Sequence, residues 1–158
     1  MSTGFVVTAG PMTIDPENPI VRLCAAGMAI EGDAPAAREL FAKAWTLHRD
    51  DYEASIAAHF VARHQTSPDQ TLYWNALAVR HAEAVDDHRV DGLLASLYLN
   101  LGESYRVLGR SEEAAAAVER GSAALILLPP GGYRDFVAGG INRLRSQLPS
   151  VVHRGADI

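Results

Sequence analysis

Residues Leu97–Pro130, LYLNLGESYRVLGRSEEAAAAVERGSAALILLPP, constrain the fold of this chain more than any other stretch. They spell a helix, a tight turn at Gly109 and a second helix, with small residues where the two helices must touch. Ser111 is placed to cap the second helix, Glu112 and Glu113 suit its positive N-terminal dipole, and Pro129-Pro130 cannot continue it. A lone helical pair buries one face and leaves another bare, so it needs neighbours of its own kind. The same unit is therefore expected upstream.

It recurs there in weaker form. From Pro19, the residues Val21, Cys24, Ala25, Met28 and Ala29 follow at three- and four-residue steps, which sets them on one helical face. Gly32 suits a left-handed helix end, Asp33 an N-cap and Pro35 a first turn. Ala37, Leu40, Phe41, Ala44, Trp45 and His48 complete a first pair over Pro19–His48. Asp50 and Asp51 favour the start of a third helix, Asp51–His64, whose apolar residues include Ile56, Phe60 and Val61. Ser67-Pro68-Asp69-Gln70 then reads as a capping box ahead of a fourth helix, Pro68 to Val85. The second-helix caps fall at Asp33, Ser67 and Ser111, that is 34 and then 44 residues apart. The extra residues lie around Asp86–Leu94, and the helical spacing of Val90, Leu93, Leu94 and Leu97 predicts a long fifth helix, Val90–Leu108, rather than a long loop. A last helix, Tyr133–Gln147, carries Phe136, Val137, Ile141, Leu144 and Leu148 as an apolar stripe, with Gly139-Gly140 marking close packing or a kink. Residues 1–18 read as an extended or disordered arm, 19–148 as the helical domain and 149–158 as a flexible tail.

Composition narrows the class. With 158 residues, 48% of them hydrophobic and 21% charged, the chain reads as one globular domain. A net charge of -5 and the lack of a basic run argue against nucleic acid and anionic membranes as partners. No apolar run approaches the about 20 residues that span a bilayer, and the N-terminus lacks the pattern of a signal peptide. A single cysteine, Cys24, gives no internal disulfide framework and fits a reducing cytoplasm; its apolar surroundings suggest a buried small hydrophobe.

The third unit resembles the tetratricopeptide repeat family. Tyr98, Leu101-Gly102, Tyr105, Gly109, Ala114 and Val118 stand where that family has its aromatic, Leu-Gly, aromatic, turn-glycine, alanine and bulky apolar positions, with Gly121 in place of the second alanine. The first unit matches through Ala25, Met28, Gly32, Ala37, Phe41 and Ala44. The second is degenerate, and two registers stay open: cap spacing turns Thr71, Asn75 and Ala78 inward, apolar content Leu72, Ala76 and Val79. The resemblance covers roughly Pro19–Pro130 and implies an all-α superhelix of three helical hairpins plus a capping helix. It also implies a concave groove, lined by the first helix of each pair, that binds an extended peptide or protein segment. Carried over by position, that groove holds Arg22, Glu53, Phe60, Arg63, His64, Ser96, Asn100, Glu103 and Arg106. A lysine/asparagine/arginine clamp for chaperone carboxylate tails is approximated only by Arg22 and Asn100, so that ligand is not expected.

Catalytic and metal chemistry find little footing. His59 and His64 lie five residues apart, about 140° around a helix, and His81 and His88 seven apart, or about 10 Å, so neither pair has zinc-site spacing. No phosphate loop, dinucleotide fingerprint, nucleophile elbow or methyltransferase motif occurs. The sequence thus predicts a non-catalytic cytoplasmic adaptor without metal or cofactor. Two alternatives remain: a self-associating module, possible as a homodimer, and a small-ligand or enzymatic pocket containing His59, His64, Trp74 and His81.

Overall fold

The computed structural model describes residues 14–150, and every regular element in that span is helical. Seven α-helices follow in order: α1 (Pro19–Ala29), α2 (Ala34–Leu47), α3 (Asp51–Ala62), α4 (Pro68–Ala84), α5 (Leu94–Val107), α6 (Ser111–Ala124) and α7 (Gly132–Gln147). The expected arm and tail fall mostly on residues 1–13 and 151–158, outside the described residues.

The caps set most of these boundaries. The Asn18 carboxamide accepts from the Ile20 and Val21 amides, Asp33 from Ala36, Asp50 from Glu53 and Ser67 from Gln70, each supplying an acceptor for an otherwise orphan helix-start donor. Three boundaries depart from expectation. Ser111 is the first residue of α6 and Arg110 the cap, without a side-chain bond to the helix start. Gly32 is not left-handed, because Ile30 already closes α1 through its own amide; Gly109, at φ +72°, is. The fifth helix does not begin at Val90. Asp87 accepts from the Arg89 amide and starts a single 3₁₀ turn, His88–Val90, and Gly92 interrupts before α5 begins at Leu94. The tighter three-residue winding buries Val90 and Leu93 on one side, which helical spacing alone mimicked.

Packing is sequential. The helices α1 and α2, α3 and α4, and α5 and α6 form the three expected hairpins; α2 and α1 meet α3, α4 meets α5, and α7 covers α5 and α6. One apolar core runs from α1 to α5, and a smaller one joins α5, α6 and α7 through Ala95, Val118, Ile141 and Leu144. Val137, Ile141 and Leu144 form the covering stripe as expected, whereas Phe136 points outward at 53% exposure. In α4 the register from cap spacing largely holds: Asn75 and Ala78 are buried, although Val79 is buried as well.

The third hairpin closes on small residues. A Cβ on Gly102 would lie 2.8 Å from Leu144 Cδ2 and 3.3 Å from Ala117 Cβ, so α5, α6 and α7 converge on a point where only hydrogen fits. Nor does Gly140 kink α7; it admits Leu99, whose Cδ2 would sit 2.7 Å from an added Cβ. No helix is long and apolar enough to cross a membrane among the described residues.

Three glycine variants check these placements by urea unfolding. Gly102→Val should cost about 2 kcal/mol by overpacking, and Gly109→Ala about 1 kcal/mol through its left-handed backbone. Gly32→Ala, with ordinary φ and open space around it, should be neutral or gain up to about 1 kcal/mol.

Candidate functional site

Helices α3 and α5 are the first members of adjacent hairpins, and the space between them, floored by α4, is a continuous groove with three stretches. At one end Ser55, Ile56, Phe60, Leu93 and Leu97 form an apolar seat, and Ile14 lies in it. The middle is polar, with an open volume of about 280 Å³ bounded by His59, Arg63, Asn75, Asn100 and Glu103. Through Thr71, Glu103 and Ser104 it continues into a third stretch of about 300 Å³ that ends at Pro68 and Val107.

Four residues expected in the groove are therefore brought together around it: Arg63, Ser96, Asn100 and Glu103. Phe60 also reaches the apolar seat, but at 1% exposure it is chiefly a core residue, 5.4 Å from the Phe41 ring. Arg106 adjoins the groove through its bond to Glu103 at 2.6 Å. The others lie elsewhere. The Glu53 carboxylate is buried and held by Arg49 at 2.8 Å, Arg22 is an exposed cation on α1 beside Glu17, and His64 bonds Glu31 at 2.8 Å while stacking on Phe41. Their place in the groove was an expectation carried over from the resemblance, position by position. The partners that claim them come from other helices and loops, which no single-helix pattern records.

The groove's ions are paired before any ligand arrives. The Arg63 guanidinium, at the C-terminal end of α3, makes three contacts of 2.8–3.2 Å with Glu31, which lies in the turn between α1 and α2. Arg106 grips Glu103 through Nε and Nη2. What remains for a ligand is mostly neutral hydrogen-bonding groups. Asn75, turned inward by cap spacing but not expected as a site residue, donates to Ser104 Oγ at 2.8 Å across the α4–α5 seam. Asn100 Nδ2 contacts His59 Nδ1 at 3.3 Å, so the ring accepts there and carries its proton on Nε2. Burial, reinforced by the Arg63 charge, pushes His59 down from 6.5 to about 4, which keeps that neutral tautomer in place.

The four residues of the alternative small-ligand pocket do not meet. His59 lines the groove and His64 its Glu31 corner, whereas Trp74 and His81 belong to a separate aromatic cluster on α2 and α4. There Trp45 stands edge-on to Trp74 at 5.1 Å, and His81 bonds Asp51 at 2.8 Å. Among the described residues no group of three or more His, Cys, Asp or Glu side chains is arranged to hold a metal ion. Burial raises the Cys24 thiol to about 12, so it stays protonated and unreactive.

Compared with protein-family models, with curated proteins and with solved structures, the chain matches none. The site therefore has to be read from its own chemistry.

The depressed His59 pKa sets a pH dependence. Between pH 6.5 and about 4 the unfolded chain binds a proton that the folded chain refuses, so this contribution to stability is complete above pH 6.5 and lost as pH falls toward 4. The loss should reach roughly 3 kcal/mol. Urea midpoints from pH 7.5 to 4.5 should fall less steeply for His59→Gln than for the parent chain; equal slopes would mean His59 is not held neutral.

Proposed function

We propose that the chain is a non-catalytic, cytoplasmic adaptor with a tetratricopeptide-like superhelix, and that it binds an extended peptide or protein segment along the groove between α3 and α5. The observation that carries this reading is the groove's makeup: an apolar seat, a polar stretch in which amide and hydroxyl groups stand beside internally paired ions, and a further open stretch that reaches Pro68 and Val107. An extended segment presents main-chain donors and acceptors at every residue, and Asn75, Asn100 and Ser104 suit them. An apolar side chain at the seat would supply anchoring, with the polar stretch fixing direction. The sequential packing of three hairpins under a covering helix supports the superhelix, since that arrangement leaves the first helices of successive pairs facing one open side.

Groove charge reversal tests the reading. Proteins captured from native extract by the parent chain should be lost at least tenfold with Asn100→Lys plus Glu103→Lys. They should be retained with Glu112→Lys, which reverses a charge at the start of α6, away from the groove. Helical circular dichroism should be unchanged in both. Equal capture by all three proteins would move the site off the groove.

One observation favours a second reading, self-association. Ile126 at 80%, Phe136 at 53% and Leu127 at 39% exposure leave apolar surface near the α7 end of the chain. Sedimentation over a dilution series decides it: a monomer at micromolar concentration removes the dimer.

A further inference from the structure

Gly139 has no reason to be glycine inside its own chain. Its neighbour Gly140 admits Leu99, but a Cβ on Gly139 would meet nothing closer than the tip of Arg143 at 4.0 Å, and Gly139 is not among the glycines with positive φ. Neither packing nor backbone conformation requires glycine there, and in the middle of a helix it is less favourable than alanine. The buried residues Val137, Ile141 and Leu144 mark the core side of α7. Asp135, Phe136, Gly139 and Arg143, three and four residues apart, share the side turned away from it.

That outer face carries an exposed ring and two charges that nothing else claims. Phe136 is 53% exposed. Arg145 is held by Glu119, whereas Asp135 and Arg143 have no ion-pair partner among the described residues. Their positions are symmetric: Asp135 lies four residues before Gly139 and Arg143 four residues after it.

We propose that this face of α7 is the docking site for a second copy of the chain, paired antiparallel about a two-fold axis at Gly139, with Asp135 of each copy against the partner's Arg143. The inference rests on the self-association reading above and is independent of the groove reading.

A two-fold interface makes every contact twice with the same patch, so the patch must complement itself. In an antiparallel pair crossing at Gly139, the residue four before the crossing in one copy comes level with the residue four after it in the other. Both ionic contacts are then Asp against Arg. A parallel pair in register would set Asp135 on Asp135 and Arg143 on Arg143, and like charges would oppose it. The bare backbone at Gly139 lets the two helix axes approach closely at the crossing and leaves room beside it for the partner's Phe136. Burial of the two rings supplies attraction. The charges fix direction and register, since exposed ion pairs add little strength while mismatched ones oppose docking. The turn Leu125–Leu127 packs on α7 and adds apolar surface at this end of the molecule, with Ile126 at 80% exposure. No residue of α7 lines the three stretches of the groove, so pairing through α7 leaves the groove free in each copy.

Charge reversal in the full chain, read by sedimentation velocity over a dilution series, tests this. The parent should pass from monomer to dimer in the micromolar range. Asp135→Arg alone and Arg143→Asp alone should each weaken dimerisation at least tenfold, because both ionic contacts become contacts of like charge. An equimolar mixture of the two variants should recover the parent's dimerisation, since both contacts of the mixed dimer are again Arg against Asp. Gly139→Leu should abolish the dimer while the urea midpoint of the monomer stays unchanged or rises, as the monomer has open space there and leucine favours the helix.

A parent that stays monomeric throughout would remove this interface and self-association together. A dimer that survives both reversals, or reversals that do not recover on mixing, would overturn the α7 pairing while self-association stands. Oligomers that grow past the dimer with concentration would overturn the two-fold arrangement. The groove reading is tested by partner capture and is untouched by any of these results.

Discussion

The structure depends on the enclosure of α3. Ten of its twelve residues are buried, with α1 and α2 against one side, α4 against another and the Ile14 segment across the groove-facing edge. A helix buried all round normally carries large apolar residues. This one sets Ala54, Ala57, Ala58 and Ala62 among the large Tyr52, Ile56 and Phe60, so its neighbours approach closely and proximity adds to bulk in making the core dense. The same economy recurs at Gly102, where α7 and α6 press on α5, and at Gly27, against which Phe41 is packed.

Such enclosure imposes a condition on every polar group in α3, because an unsatisfied one costs about 1–3 kcal/mol. Each has a partner. Glu53 has Arg49, the Ser55 hydroxyl donates to the Tyr52 carbonyl, and His59 faces Asn100. The last of these is the link from stability to function. The group that α3 must satisfy across the gap is on α5, so the pairing that relieves His59 also fixes the width and the lining of the groove. With the ring held neutral by burial and by Arg63, the pair stays a hydrogen bond between uncharged groups.

The sequence made the Asp33 and Ser67 caps and the Gly109 turn legible because those signals are local, a side-chain oxygen with an amide three residues on and a glycine in a tight turn; Ser111 and Gly32 carried the same signals without taking those roles. The role of α3 was not legible, since burial on every side erases the one-faced periodicity that a sequence reading looks for. Val90–Leu93 misled for the converse reason, as a 3₁₀ turn and an α-helix both bring residues three apart to the same side. Asn75 shows a third kind of loss. Cap spacing turned it inward, but its partner, Ser104 of the next hairpin, is 29 residues away and no local signal records it. Arg63, Asn100 and Glu103 were expected beside the groove from the resemblance alone. Their ionic partners were not, because Glu31 lies 32 residues from Arg63 in the chain.

Those partners decide what kind of ligand the proposed groove could accept. An open cation in a cleft attracts carboxylates and makes binding fall with salt. Here both cations are neutralised by carboxylates of the same chain, Arg63 through a fork of contacts to a side chain that is only 20% exposed. Opening that fork for a ligand carboxylate would strand Glu31, which also holds His64, so the exchange gains nothing. On the proposed reading, the discrimination left to the groove is against charge rather than for it, by hydrogen bonds to main chain in the middle and by apolar fit at the seat.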